Sequence, residues 1–177
     1  GSVATSPTFT DITLAAEGII STRLADVVTG AGDAATFSGV NSSGVLYAEI
    51  SSFSDVTYKT IVIESSTTTR YVYIRYTSGQ SIQLVAYDGT NNPIITTGTV
   101  NVNETHKIAA RWDSDSCELY VDGSLVGTDT FFGFSSGVLN VLDFTSNTGS
   151  QNFYGNTRQV AVYNYLTDSE MITLTTL

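Results

Sequence analysis

His106-Lys-Ile-Ala-Ala-Arg-Trp-Asp113 and, after a polar gap, Glu118-Leu-Tyr-Val-Asp-Gly-Ser-Leu-Val-Gly-Thr128 decide the fold of this chain. In the first run Ile108, Ala110 and Trp112 alternate with Lys107, Ala109 and Arg111, the period-two pattern of a strand with one buried face. Leu119 and Val121 repeat that pattern. The polar segment Asp113–Ser116 reads as a hairpin connection, and Asp122-Gly123 is a two-residue turn into a third strand over Ser124–Thr128.

The same grammar continues outward in both directions. Strands are expected at Val45–Ile50, Tyr58–Glu64, Tyr71–Tyr76, Ile82–Tyr87, Ile94–Thr97, Val138–Phe144 and Gln159–Tyr163. Shorter apolar runs at Val27–Val28 and Ala34–Val40 flank Gly30 and Gly32. Ser78-Gly79 joins the pair 71–76 and 82–87, and Asp88-Gly89 opens a turn that runs through Pro93. Such short strands separated by turn residues at close spacing imply a two-sheet sandwich or a barrel. One helix is expected, from Asp168 to Leu174, because Thr167 and Glu170 have capping-box spacing. It would pack Met171 and Leu174 on the sandwich edge. Residues 1–25 read as a linker or edge strand, and 26–177 as the folded domain.

Composition agrees with an all-β reading. Of 177 residues, 41% are hydrophobic and only 14% charged, while Thr, Val, Ile, Tyr and Phe, which fit a pleated surface, are abundant. The net charge of −10, from 17 acidic and 7 basic residues, opposes binding to phosphate backbones and to anionic membrane surfaces. No apolar run is long enough to span a bilayer, so no membrane insertion is expected. Cys117 is the only cysteine, which excludes an intrachain disulfide. That suits a cytosolic protein, or one assembled in a cytosol and later exposed, as a virion component is.

The hairpin at 106–128 resembles the central hairpin of concanavalin A-like lectin/glucanase domains, including the laminin-G and pentraxin-like group. Phe153-Tyr-Gly-Asn-Thr-Arg-Gln-Val-Ala-Val-Tyr-Asn-Tyr-Leu-Thr-Asp-Ser-Glu170 is similar to that group's last strand and short helix. Gly44-Val-Leu-Tyr-Ala-Glu-Ile50 is similar to an early strand in versions found in bacteriophage tail fibres and receptor-binding proteins. The resemblance covers roughly 34–177. It implies a jelly roll of two antiparallel sheets that binds glycans or proteins, in some members with calcium. Other members are glycosidases. Fold alone does not choose among these functions.

The glycosidase branch carries acidic residues at Glu-x-Asp-x-(x)-Glu spacing, which places two carboxylates on one sheet face. No such motif occurs here. Glu49 has no second carboxylate on its face within the strand, and Asp113, Asp115 and Glu118 fall on or beside a turn. His106 lacks a Ser-His-Asp setting, and Cys117 falls in the inward set beside Leu119, so neither is read as catalytic. Asp88, Asn91, Asn92, Asp143, Asn147 and Asn152 offer hard oxygen ligands of the type calcium takes, and are equally ordinary turn formers.

The candidate ligand face follows from parity. Val72, Ile74 and Tyr76 take one side of their strand and leave Tyr71, Tyr73 and Arg75 on the other. Ile82, Leu84 and Ala86 likewise leave Gln83, Val85 and Tyr87. Pairing of these strands makes Tyr71, Tyr73, Arg75, Gln83 and Tyr87 neighbours, and Tyr47, Glu49, Arg111 and Tyr120 alternate in the sense needed to join them. Tyrosine offers sugars a flat apolar ring and a hydroxyl, and arginine a fixed fork of donors for an acidic sugar. The alternatives are cross-strand packing and a subunit interface.

The reading is a non-catalytic module that binds an extracellular glycan or a host-surface receptor. Its expected setting is the virion or the extracellular space, as part of a phage tail fibre or adhesin trimerised through the parent protein. A structural virion decoration domain and a glycoside hydrolase are the alternatives.

Overall fold

The computed structural model describes Asp33 and residues 37–40, 42–54, 57–67 and 69–177. Among the described residues there are ten strands: β1 (Gly44–Ser52), β2 (Lys59–Glu64), β3 (Tyr71–Tyr76), β4 (Ser81–Tyr87), β5 (Ile94–Thr99), β6 (His106–Trp112), β7 (Ser116–Val121), β8 (Ser124–Thr130), β9 (Val141–Asp143) and β10 (Gly155–Tyr163). One helix, α1 (Asp168–Thr175), follows. The strands form two antiparallel sheets in the orders β10-β1-β6-β7-β8 and β5-β4-β3-β2-β9, a jelly-roll sandwich.

In the N-terminal region, the linker at 1–25, the run Val27–Val28 and the start of Ala34–Val40 lie outside the described residues. The described end of that last run, Ser38–Val40, is a turn of 3-10 helix. Gly39 gives the segment no side chain to pack into a ladder. Its local bond, Val40 N–H to the Phe37 carbonyl at 3.1 Å, closes a turn. Of Val138–Phe144, only Val141–Asp143 pairs as a strand.

Alternation sorts the core as the sequence implies. Leu46, Ala48 and Ile50, Ile108, Ala110 and Trp112, Cys117 and Leu119 face Ile61 and Ile63, Val72, Ile74 and Tyr76, and Ile82, Leu84 and Ala86 across the gap between sheets. Two polar atoms within this core are satisfied by bonds that also fix geometry. The Tyr76 hydroxyl crosses between sheets to donate to the Ile50 carbonyl at 3.0 Å, and the Trp112 indole N–H donates to the Val40 carbonyl at 3.0 Å. Burial pushes the Cys117 thiol up to about 12, so it holds no thiolate at neutral pH.

Turn chemistry fits the chain as well. Asp122 (φ 49°) and Gly123 (φ 80°) are both left-handed, the type I′ geometry that matches the twist of a two-residue hairpin. The Asp113 carboxylate accepts from the Asp115 and Ser116 N–H groups and closes the β6–β7 hairpin. In α1 the Glu170 carboxylate accepts from the Thr167 N–H (2.8 Å) and hydroxyl (2.7 Å), the expected capping contact.

The helix packs elsewhere than expected. It lies on the outer face of the β1 sheet, where Met171 is buried with Val45, Tyr47, Ala109 and Tyr120, instead of on the sandwich edge. The reason is chemical: those residues make an apolar strip on the outer side of β1, β6 and β7, and an eight-residue helix with Met171 and Leu174 on one side covers it.

Candidate functional site

The outer face of the β3 sheet is built from directly opposed residues that form three cross-strand rows. Thr96, Gln83, Arg75 and Thr60 make the first row, across β5, β4, β3 and β2. Ile94, Val85, Tyr73, Val62 and Asp143 make the second, and Tyr87, Tyr71, Glu64 and Val141 the third. Tyr71 and Arg75, four residues apart on β3, mark a span of about 13 Å.

The first row is a continuous hydrogen-bonded belt. Arg75 Nε donates to Gln83 Oε1 at 2.7 Å, and the Gln83 amide donates to the Thr96 hydroxyl at 2.8 Å. From the loop after β9, Gln151 Oε1 accepts from Arg75 Nη1 at 3.4 Å and from the Thr60 hydroxyl at 3.3 Å. The guanidinium carbon lies 4.6 Å from the centre of the Tyr58 ring and 5.2 Å from that of Tyr73, within cation–π range. Arg75 forms no salt bridge with a carboxylate of the described residues.

The middle row is a packed floor. Val62, Val85 and Tyr73 form a small apolar cluster with Tyr71 at its margin. Tyr73 is only 7% exposed, so it differs from the open ring that parity alone suggests. It is closed over because the Tyr71 ring stacks on it, 5.4 Å between centres at 17°, and Arg75 covers its other side. The half-buried Tyr71 and Tyr87 rings, 5.9 Å apart, and the exposed Tyr58 ring against Arg75 are the aromatic surface that remains. The Tyr87 hydroxyl donates to the Gly89 carbonyl.

Further along the third row, between Tyr71 and Val141, Glu64 is buried, and its Oε2 has no hydrogen-bond partner among the described residues. Burial, reinforced by the nearby Asp143 charge, pushes its carboxyl up to about 7.

The remaining four residues read as part of this face do not belong to it. Tyr47, Glu49, Arg111 and Tyr120 stand on the β1 sheet, on the opposite side of the sandwich. Their side chains do alternate outward, but two sheets have two outward faces, and parity does not say which sheet a strand joins. Tyr47 and Tyr120 lie beneath α1. Arg111 is 4% exposed, donates to the Leu166 carbonyl at 2.7 Å, and is paired with Asp168 at 2.6 Å and with Glu118. Glu49 is paired with Arg158 at 3.2 Å.

Sequence reasoning missed Tyr58, Thr60, Thr96 and Gln151. Thr60 and Thr96 had a usable signal, since both alternate with core residues on strands that flank the pair already identified. Gln151 had none, because a loop has no period.

The oxygen-rich residues considered for calcium are dispersed. Burial works to raise the Asp88 pKa, but the Asn91 amide and the N–H groups of Asn91, Thr90 and Phe132 outweigh it and hold the carboxylate below its usual range. Both Asp88 oxygens are thus engaged, by Thr90 and Asn91 in its own turn and by the distant Phe132 N–H. Asp143 stands on β9, beside Glu64 instead of Asp88. Among the described residues no group of three or more His, Cys, Asp or Glu side chains comes together as a metal site. His106 opens β6 and is engaged at both ring nitrogens, by Asp122 (2.6 Å) and the Asn101 carbonyl (3.1 Å). No helix among the described residues is long and apolar enough to cross a membrane.

Solved structures with this architecture include the CBM40 of a Ruminococcus gnavus IT-sialidase bound to alpha2,3 sialyllactose. It is 19% identical, with 88% of this chain and 97% of that one covered at a TM-score of 0.66. A heptameric SAP-like pentraxin from Limulus polyphemus is 14% identical over 75% of this chain and 69% of its own, TM-score 0.59. Domains LG4-5 of the mouse laminin alpha1 chain are 14% identical over 78% and 41%, TM-score 0.56. At such identities the likeness is one of fold. No curated protein matches the sequence. The family model described as the concanavalin A-like lectin/glucanases superfamily matches residues 29–173, nearly the whole of the sandwich and most of its helix, and the chain belongs to that superfamily.

Proposed function

We propose that this domain is a non-catalytic recognition module that binds a glycan on the outer face of its β3 sheet. The observation that carries the reading is Arg75. In a chain with 17 acidic and 7 basic residues, it is held in a row of amides and hydroxyls, against two tyrosine rings, with no carboxylate partner among the described residues. A structural arginine is normally paired, as Arg111 is. Along the same face, two rows from Arg75, the Tyr71 and Tyr87 rings offer surface for sugar C–H faces, and Gln83, Gln151, Thr60 and Thr96 offer hydroxyl-matching polar groups next to it. The sialyllactose bound by the similar R. gnavus module supports a sugar as the ligand.

The proposal extends to the setting: a domain over 26–177 displayed on a virion or in the extracellular space, in a fibre or adhesin trimerised through its parent protein, facing a host-surface glycan. Trimeric display would raise avidity for weakly held sugars.

A glycan array with the purified domain tests the reading, followed by titration of the hit with Arg75→Lys and Tyr71→Ala. Binding that both substitutions weaken while the fold persists supports it. A hit whose affinity neither change alters moves the site off this face. Release of reducing ends from polysaccharide would instead establish a hydrolase.

A further inference from the structure

We infer that Arg75 is presented end-on to a planar carboxylate of the glycan, and that Gln83 and Gln151 are the positioning residues that set this selectivity. The inference rests on the glycan reading and deepens it. A guanidinium has five donors in one plane, and the two edges that can grip a carboxylate bidentately are Nε/Nη2 and Nη1/Nη2. Gln83 occupies Nε, which closes the first edge. Gln151 takes one Nη1 hydrogen, leaving the other Nη1 hydrogen and both on Nη2 with no partner among the described residues. Nη2, which belongs to the end-on edge, therefore keeps both of its hydrogens for a ligand.

The two glutamines are themselves anchored. Thr96 accepts from the Gln83 amide group, which turns its oxygen toward Arg75. The Thr60 hydroxyl donates to the oxygen of Gln151 that receives Arg75. With Tyr58 and Tyr73 against the guanidinium, little freedom is left to tilt the fork. A fork fixed before binding loses less entropy than a mobile one and favours a flat, two-oxygen partner over a tetrahedral sulfate. The net charge of −10 adds a second filter. It repels densely charged polyanions at long range, whereas a single carboxylate is gripped at contact distance, where salt screens least.

The test is calorimetric titration of the intact chain with three probes: 3′-sialyllactose, lactose and 3′-sulfolactose. Sialyllactose is expected to bind about tenfold more tightly than either of the others. Gln83→Leu and Gln151→Leu should each lower affinity for sialyllactose about tenfold more than affinity for lactose, so that the preference disappears while the melting temperature holds. Arg75→Lys, which keeps the charge and loses the fork, should remove the preference too. That ratio is a readout that damage to the fold alone would not shift selectively. Equal affinity for the three probes, a stronger sulfolactose complex, or a preference that survives both glutamine changes would overturn the inference. In those cases the glycan reading stands on its own array result. An array hit that contains no acidic sugar overturns the carboxylate assignment alone, and an array with no hit overturns both.

Discussion

Arg111 on β6 and Asp168 at the start of α1 are joined by a 2.6 Å ion pair that fastens the last helix to the outer face of the β1 sheet. The same guanidinium pairs with Glu118 on β7 and donates to the Leu166 carbonyl, so one nearly buried side chain ties three segments together.

Arg111→Ala should therefore destabilise the domain by about 3–5 kcal/mol, because it strands the Glu118 carboxylate in a site built for a cation. Asp168→Asn should cost about 1 kcal/mol or less, since that carboxylate is 74% exposed and its pairing is screened by solvent. Urea denaturation of the two variants checks the difference in size. Equal losses would show that the burial of Arg111 is not what makes the pair matter.

Trp112→Ala should cost about 3–5 kcal/mol. The substitution leaves a cavity between the sheets and removes the donor to the Val40 carbonyl. A melting temperature equal to that of wild type would contradict the inward assignment of Ile108, Ala110 and Trp112 together.

On the candidate face, neighbouring tyrosines should behave differently. Tyr73→Ala should cost about 3 kcal/mol of stability, because that ring is packed on Val62 and Val85 under Tyr71. Tyr71→Ala should weaken glycan binding with a smaller stability loss, since its ring is only half-buried. Thermal melts and titration with the glycan hit separate the two effects. A Tyr73→Ala protein as stable as wild type would mean that the ring is free of its floor.

Glu64 should make stability fall as pH rises. Its carboxyl is raised from 4.5 to about 7 in the folded state, so the folded chain holds a proton that the unfolded chain has already released. Below about pH 4.5 both states are protonated and no penalty exists. The penalty grows as pH passes from there through 7, and it reaches up to about 3 kcal/mol above that point. Melts between pH 5 and 8 should show the decline, and Glu64→Gln should flatten it. A wild-type profile with no slope in that window would place Glu64 in a more solvated setting than its 5% exposure describes.

Period two along the chain was enough to determine the core. Once Ile108, Ala110 and Trp112 alternate with Lys107, Ala109 and Arg111, a one-residue slip would bury the wrong set, so burial itself fixes which side faces in. Hairpin turns and the capped helix were equally legible, because Asp122-Gly123 and Thr167…Glu170 act through bonds within a few residues. Only the tertiary structure decided the rest. Tyr47 and Tyr71 carry the same outward signal, yet one lies beneath a helix from the far end of the chain and the other borders the candidate site. Strand order brings Thr60 and Thr96 into line with Arg75, and a loop delivers Gln151 from 76 residues away. Parity is a local property of a strand, whereas sheet membership and cover depend on contacts between distant segments, which no spacing in the sequence encodes.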